Sequence, residues 1–218
     1  MKKGWVIQQD TRFFCSISLA FILISGLVLP RAQAVGFGMD FGTSTENWDQ
    51  THGSNDRSTM HFGALFDSTV AKQRSFVYRA VLAHELNSYD QYGLQFTGTT
   101  MVHSFGLTLM QNRHVRLWLG PHVKYTAYNS IEQPGMFYDY EYDGFIRGYG
   151  GGLTMGCNLN LGKLITLGFS GGNRYMRYEG HYKPIYNPYY NYEAREVNAD
   201  VSSTFFSVSL IFRVNDQF

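Results

Sequence analysis

Apolar and polar side chains alternate with a period of two along residues 205–214. One face carries Phe206, Val208, Leu210, Phe212 and Val214. The other face carries Ser207, Ser209 and Arg213, with Ile211 as an apolar exception. This alternation predicts a β-strand with one apolar side and one polar side.

Seven earlier segments show the same alternation. They are residues 35–43, 59–67, 74–85, 94–110, 115–128, 145–159 and 164–178. In the first of them Phe37, Met39 and Phe41 share one face, and the residues between them are Gly38 and Asp40. No segment of a dozen residues places apolar side chains at the i, i+3, i+4 spacing of an amphipathic helix. The pattern therefore predicts an all-β domain of eight strands.

The connections between the predicted strands alternate in length. The longer ones are residues 44–58, 86–93, 129–144 and 179–200, and the shorter ones are 68–73, 111–114 and 160–163. Membrane-spanning barrels have long loops outside the cell and short turns in the periplasm. Small and polar residues on the second face of each strand suit the narrow interior of an eight-stranded barrel. We therefore expect an eight-stranded antiparallel up-and-down transmembrane β-barrel.

The first 34 residues have the organisation of an export signal. Basic residues at Lys2, Lys3 and Arg12 precede an apolar run over residues 13–29, and Ala32 and Ala34 provide a small-x-small cleavage pattern. We expect cleavage after Ala34, which makes residues 1–34 a signal peptide and residues 35–218 the barrel domain. The alternative is an uncleaved membrane anchor, although the run has only the minimum length for a span and contains serines.

Cleavage changes the charge balance of the chain. The whole chain has 18 basic and 17 acidic residues, and residues 1–34 contain four of the first and one of the second. The mature chain then has 14 basic and 16 acidic residues, a net charge of −2. A nucleic-acid-binding surface is basic, so we expect no nucleic-acid partner. Cys157 is the single cysteine after residue 34, so an intrachain disulfide is excluded.

Three stretches carry a resemblance to a known class. They are residues 117–121 (Leu-Trp-Leu-Gly-Pro), the glycine-rich residues 148–156, and the final strand. Together with the alternation they resemble small eight-stranded outer-membrane barrels of the OmpX, OmpA-barrel, OmpW and opacity-protein type. The resemblance implies location in the bacterial outer membrane, contact with outer-membrane lipid, and insertion by the barrel-assembly machinery. Such proteins end on an aromatic residue that the machinery recognises. Phe218 has the right parity, but Asp216 interrupts the apolar row, which leaves Phe212 as the alternative.

Aromatic residues gather where the strands are expected to leave the membrane on its outer side. They are Trp48, Tyr89, Tyr92, Tyr125, Tyr128, Phe145, Tyr149, Tyr175 and Tyr178. Tyr and Trp are enriched at membrane interfaces, so we interpret them as an aromatic girdle.

Seven charged residues fall on the predicted inward faces. They are Asp40, Asp67, Arg79, Arg116, Lys124, Arg174 and Arg213. Buried charges are costly unless paired, so we expect ion pairs that plug the lumen. The alternative is an ion or proton pathway through the barrel.

A lipid-modifying enzyme would need a nucleophile beside a base. The candidates are His103 with Ser104, His84 with Glu85, His122, and Ser170. Adjacent residues of a strand point to opposite sides, so His103 and Ser104 cannot cooperate. The histidines also lack the spacing of zinc ligands. We expect no enzyme, no metal and no cofactor.

Tyrosines are concentrated in the third and fourth outer connections. They are Tyr138, Tyr140 and Tyr142, which alternate with Asp139, Glu141 and Asp143, and then Tyr186, Tyr189, Tyr190 and Tyr192. Exposed tyrosines suit contact with sugars or protein surfaces, such as an extracellular ligand or a host surface. The alternative is that these residues extend the hairpins and bind nothing. The acidic residues could also hold a cation. The leading prediction is a structural or surface-interaction protein without catalytic activity. The alternatives are a narrow channel for small or hydrophobic solutes and a lipid-modifying hydrolase.

Overall fold

Eight antiparallel strands close into one barrel in the computed structural model, each strand pairing with its neighbours in sequence. The strands are β1 (Val35–Gln50), β2 (Gly53–Asp67), β3 (Phe76–Tyr89), β4 (Leu94–Gln111), β5 (Val115–Gln133), β6 (Tyr140–Asn160), β7 (Ile165–Pro184) and β8 (Arg195–Val214). The ring closes where β1 pairs with β8, with Val35 opposite Val214. The predicted fold class, an eight-stranded antiparallel up-and-down barrel, is confirmed.

The structure describes residues 35–50, 53–68, 75–89, 94–133, 140–184 and 194–214. The expected signal peptide, residues 1–34, lies outside the described residues, as does Phe218. Among the described residues, no helix is long and apolar enough to cross a membrane.

The predicted long connections are largely wrong. Residues 44–58 form the paired ends of β1 and β2, which leaves only residues 51 and 52 between the strands. In the same way β5 and β6 extend into the predicted connection 129–144, and β7 and β8 extend into 179–200. These segments are polar outside but keep the alternation of a strand, so they continue the ladder instead of leaving it.

The two ends of the barrel differ. The end where β1 begins and β8 ends carries the short turns, and we call it the turn end; the opposite end is the hairpin end. In the turn between β4 and β5 the side chain of Asn112 accepts hydrogen bonds from the backbone N–H groups of His114 and Val115, at 2.8 and 2.7 Å. Gly162 adopts a φ of +129° between β6 and β7, a conformation that favours glycine. Short turns face the periplasm in membrane-spanning barrels, so we expect the hairpin end to face outward.

The outer surface changes from apolar to polar along the strands. Near the turn end it carries exposed large apolar side chains, which we call the lipid belt. They include Phe37, Met39, Phe41, Phe62, Leu82, Leu107, Leu153, Met155, Phe206, Leu210 and Phe212. Nearer the hairpin end the outward side chains of β8 are Thr204, Ser202, Asp200 and Asn198, and all are exposed. An exposed apolar belt with polar surface above it is the exterior of a membrane-spanning barrel.

Along the same direction the interior changes from polar to apolar. Inside the lipid belt the lumen is filled mainly by charged and hydroxyl side chains. Nearer the hairpin end it is filled by a cluster that we call the apolar cap. Its members are Trp48, Leu94, Phe96, Tyr128, Ile131, Ile146, Met176, Tyr178, Ala199 and Val201. The barrel thus has two regions. The lower tier, near the turn end, has an apolar outer surface that suits lipid. The upper tier, near the hairpin end, has a polar outer surface and an apolar interior, as a soluble protein does.

Candidate functional site

The polar lumen of the lower tier begins with two carboxylates near the turn end. Arg79 of β3 donates two hydrogen bonds to Asp67 of β2, from Nε at 3.1 Å and from Nη2 at 2.8 Å. The same Nη2 donates to Asn158 of β6 at 3.0 Å across the lumen. Asp40 of β1 accepts a hydrogen bond from Ser209 at 2.5 Å and contacts His61 at 2.9 Å. Strands on opposite sides of the barrel are therefore joined through its interior.

A second ion pair lies towards the hairpin end. Glu85 of β3 and Lys124 of β5 are 2.6 Å apart, and both side chains are almost completely buried. Glu85 also accepts hydrogen bonds from the hydroxyls of Tyr128 at 2.6 Å and Thr126 at 3.2 Å. This pair joins strands that are not neighbours in the sheet.

Glu46 of β1 marks the boundary between the tiers. Its carboxylate accepts hydrogen bonds from Trp48 at 3.1 Å, Asn87 at 2.9 Å and Tyr178 at 3.2 Å. Arg174 of β7 lies 3.8 Å from it. Trp48 and Tyr178 belong to the apolar cap, whereas Asn87 and Arg174 belong to the polar lumen. One buried carboxylate therefore joins the two regions.

The apolar cap lies inside the barrel above Glu46. The rings of Trp48 and Tyr178 stack with centroids 4.5 Å apart, and Tyr128 stacks on Tyr178 at 6.2 Å. The guanidinium of Arg57 lies 3.6 Å from the centroid of Trp48 and 5.0 Å from that of Phe96. Cation–π contacts of this length stabilise the packing, and the four aromatic side chains are buried.

The seven charges assigned to the lumen from the sequence all lie buried inside the barrel. They are Asp40, Asp67, Arg79, Arg116, Lys124, Arg174 and Arg213. Five belong to the groups described above. The other two lie near the turn end, where Arg116 donates to Thr108 at 2.7 Å and Arg213 donates to Thr166 at 2.6 Å.

Sequence reasoning missed three members of this network. The sequence pattern places Glu46 and Arg57 in an outer loop, and it singles out Glu85 only as a neighbour of His84. A usable signal was present, because Ser44, Glu46 and Trp48 keep the inward parity of Asp40 and Gly42. The strand therefore had no reason to end at residue 43.

The prediction of an outer aromatic girdle is wrong for three of its residues. Trp48, Tyr128 and Tyr178 are fully buried inside the cap, because their parity on β1, β5 and β7 is inward. Tyr149 and Tyr175 do face outward and are exposed. The side chain of Tyr89 and all of Tyr92 lie outside the described residues.

The candidate catalytic residues do not form a nucleophile and base pair. His103 faces outward, where its Nδ1 is 2.9 Å from the hydroxyl of Tyr78. Ser104 faces inward and lies opposite His122 in the pairing of β4 with β5. Within the described part of the chain, both ring nitrogens of His122 lack a hydrogen-bond partner, so Ser104 is not hydrogen-bonded to it. The hydroxyl of Ser170 is 2.8 Å from that of Ser207.

Of the tyrosines proposed for surface binding, two fall within the described strands. Tyr138, Tyr186, Tyr189, Tyr190 and Tyr192 lie outside the described residues, and Tyr140 is in β6 with its side chain outside them. Tyr142 is also a strand residue. It packs against the apolar cap and makes an edge-to-face contact with Tyr182, with centroids 5.7 Å apart.

A charged network covers the outer surface of the upper tier. Glu179 accepts a hydrogen bond from Arg177 Nε at 3.0 Å and one from the hydroxyl of Tyr149 at 3.2 Å. The hydrogen bond from Arg177 holds the pKa of Glu179 below its usual value. Among the described residues, no group of three or more His, Cys, Asp and Glu side chains could hold a metal ion.

Solved structures with the same fold are bacterial outer-membrane proteins. The outer membrane protein OprG from Pseudomonas aeruginosa matches with a TM-score of 0.52 and 10% identity, over 84% of this chain and 97% of that one. Neisserial surface protein A matches with a TM-score of 0.46 and 14% identity, over 84% and 99% of the two chains. Outer membrane protein H (OprH) from P. aeruginosa matches with a TM-score of 0.36 and 16% identity, over 81% and 99%.

The match with OprG shows a shared fold, and the lipid belt provides the surface that this fold needs in a membrane. The chain is therefore an outer-membrane β-barrel, as its sequence predicts. A comparison with curated protein sequences finds no match. The family described as "Protein of unknown function (DUF3575)" matches residues 87–214, more than half of the chain, and the protein belongs to that family.

Proposed function

We propose that this protein is a closed, non-catalytic outer-membrane barrel whose hairpin end interacts with surfaces outside the cell. The observation that carries the proposal is the two-tier lumen. Ion pairs fill the lower tier and the apolar cap fills the upper tier, so the strands serve as a rigid support for the connections above them.

The closed lumen is supported by the burial of its charges. The side chains of the pairs Asp67–Arg79 and Glu85–Lys124 are at most 3% exposed. Charges that line a conducting pore contact water, whereas these contact one another and neighbouring hydroxyls. Above them the stacked rings of Trp48 and Tyr178 are fully buried inside the barrel, which supports a closed lumen.

Surface interaction is supported by the composition of the connections at the hairpin end. Tyr186, Tyr189, Tyr190 and Tyr192 follow β7, and Tyr138 lies between β5 and β6. Tyrosine provides a large contact area with few rotatable bonds, which suits binding to sugars or proteins. The proposed partners are an extracellular ligand or host surface, outer-membrane lipid around the lipid belt, and the barrel-assembly machinery during insertion.

The non-catalytic part of the proposal rests on the positions of the candidate groups. Ser104 and His122 share the inward face but are not hydrogen-bonded to each other, and both are buried. A nucleophile needs an adjacent base and access for its substrate. Expression of the protein should leave the mass of lipid A unchanged, and a new lipid A species would contradict this part of the proposal.

Conductance in planar lipid bilayers tests the closed lumen. We expect no discrete steps from the wild-type protein. The comparison is the variant Trp48→Ala/Tyr178→Ala, which lacks the stacked pair. Brief openings of the lumen should be more frequent in this variant than in the wild-type protein. Discrete wild-type steps that vanish in Arg174→Gln or Arg116→Gln would instead establish the channel.

A cell-surface assay tests the interaction. Cells that display the wild-type protein should bind glycan or host-cell surfaces better than cells that display a variant with Tyr186, Tyr189, Tyr190 and Tyr192 changed to Ser. Tyr175→Ser provides the control, because Tyr175 is exposed on the barrel wall. Equal binding by all three would contradict the proposed role of the connection.

A further inference from the structure

Two neighbouring turns at the turn end each carry an exposed cation. The turn between β4 and β5 carries Arg113, and the turn between β6 and β7 carries Lys163. The side-chain amide of Asn160 donates a hydrogen bond to the carbonyl of Arg113 at 3.1 Å, and its backbone N–H donates to the next carbonyl of that turn at 2.7 Å. The two turns therefore form one connected surface. We call residues 111–114 and 160–164 the basic turns.

The basic turns contain no carboxylate of their own. Residues 108–116 and 158–166, which the structure describes throughout, include neither Asp nor Glu. Asp67 lies near the same end, but it is buried and accepts hydrogen bonds from an arginine inside the lumen. Among the described residues, neither Arg113 nor Lys163 is in an ion pair. Within that part of the chain, their charges are available to a partner from outside the protein.

Exposed apolar side chains accompany the cation of each turn. Leu161 and Leu164 lie on either side of Lys163 and are 61% and 68% exposed. Leu109 and Met110, which precede the other turn, are also exposed. Apolar side chains beside a long cationic one are typical of a membrane interface, where the stem lies along hydrocarbon and the charge reaches the headgroups. This arrangement indicates that the hydrocarbon boundary runs through the basic turns, with their charges at the depth of the lipid phosphates.

We propose that the basic turns bind anionic phospholipids, such as phosphatidylglycerol, in the membrane leaflet that the turn end faces. Arg113 and Lys163 donate hydrogen bonds to the phosphate oxygens, and Leu161 and Leu164 contact the acyl chains. A zwitterionic lipid carries its own ammonium group and no net charge, so it gains less from these cations. This inference deepens the proposed contact with outer-membrane lipid. It rests on the position of the barrel in a membrane and not on the surface interaction at the hairpin end.

Native mass spectrometry of the folded mature chain tests the lipid preference. The protein is released from mixed micelles that contain phosphatidylglycerol and phosphatidylcholine with the same acyl chains in equal amounts. We expect phosphatidylglycerol adducts to exceed phosphatidylcholine adducts, by up to about fivefold for each cation that contacts the headgroup. The excess should fall as the salt concentration rises. Equal amounts of the two adducts would overturn the proposal and would leave the general contact with lipid in place.

Paired variants separate the basic turns from the charge of the whole protein. Arg113→Gln/Lys163→Gln should lose most of the excess of phosphatidylglycerol adducts. The matched control is Arg147→Gln/Lys183→Gln, which removes two exposed cations near the hairpin end and should retain the excess. Heat-modifiable gel migration shows that each variant is folded. Loss of the excess in the control alone would place the bound lipid at the hairpin end and would contradict the proposal.

Paramagnetic broadening of NMR signals locates the lipid on the wild-type protein and does not depend on the folding of any variant. Phosphatidylglycerol and phosphatidylcholine, each spin-labelled at the same acyl carbon near the headgroup, are added to separate micelle samples. The label on phosphatidylglycerol should broaden the amide signals of residues 112–114 and 161–164 more than the label on phosphatidylcholine does. Equal broadening of these signals by the two lipids would refute a headgroup preference at the basic turns.

Discussion

The ring of Trp48 stacks on the ring of Tyr178, with centroids 4.5 Å apart and an angle of 22° between the planes. The two residues come from β1 and β7, which have β8 between them in the sheet. Both also donate hydrogen bonds to Glu46. The stack therefore connects non-adjacent strands through the interior, and its loss should destabilise the whole upper tier.

Tyr178→Ala should destabilise the barrel strongly. Removing a large buried aromatic side chain from a packed core costs about 3–5 kcal/mol. The control is Tyr175→Ala on the same strand, because Tyr175 is 76% exposed and should contribute little. Urea unfolding followed by heat-modifiable gel migration measures both variants. Similar midpoints for the two would show that the apolar cap does not hold the upper tier together.

The pair Glu85–Lys124 should show strong coupling. Lys124→Met leaves the buried carboxylate of Glu85 without its partner, at a cost of about 3–5 kcal/mol. Glu85→Gln/Lys124→Met removes both charges, so the double variant should be more stable than Lys124→Met alone. A double-mutant cycle from urea unfolding in detergent gives the coupling energy. Additive effects would mean that the two charges do not depend on each other.

Two outward residues of β8 should locate the edge of the membrane. Leu210 is in the lipid belt and Thr204 lies three outward positions nearer the hairpin end. An arginine facing lipid near the membrane centre costs about 2–4 kcal/mol and much less near the interface. Leu210→Arg should therefore fold poorly into lipid vesicles, whereas Thr204→Arg should fold like the wild-type protein. If Thr204→Arg folded less well than Leu210→Arg, the membrane would lie nearer the hairpin end than the lipid belt indicates.

Glu179 should titrate below the usual carboxylate range, because Arg177 stabilises its charged form. The residue lies on the outer surface of the upper tier, outside the lipid belt. Its pairing therefore contributes stability above the usual pKa, and this contribution is lost as the pH falls through the lowered value. An NMR titration of the Glu179 side chain should give a higher pKa in Arg177→Gln than in the wild-type protein. An unchanged value would show that Arg177 does not govern this carboxylate.

Most of the lower tier can be predicted from sequence because one rule applies to most of its positions; the exceptions include Leu65, Val81 and Ile211, which are apolar and face the lumen. Apolar residues face lipid and polar residues face the lumen, so Phe37, Met39 and Phe41 identify the outward face of β1 without any structure. The charges Asp40 and Arg213 follow from the same parity. The partners of the lumen charges do not follow from parity. Arg79, for example, donates a hydrogen bond to Asn158 across the lumen, and the two residues are not neighbours in the ladder. Alternation predicts the face of a residue, but barrel closure decides which residues meet.

The sequence pattern does not predict the upper tier, because the polar and apolar faces exchange sides there while the strands continue. Beyond Glu46 the outward positions become polar and the inward positions become apolar, as at Trp48 and Val201. A polar outer face followed by scattered aromatic residues resembles a loop with an aromatic girdle. The parity of Trp48, Tyr128 and Tyr178 was the signal that distinguished the two interpretations.

The upper tier also sets how far the protein reaches from the cell. From Thr204 to Arg195 β8 continues for ten residues, or nine residue steps, beyond the lipid belt. At about 3.3 Å per residue and a tilt of about 40°, this length raises the strand end about 20 Å above the hydrocarbon. The packed interior makes this projection stiff, so the ends of the strands are held clear of the membrane surface without a flexible arm.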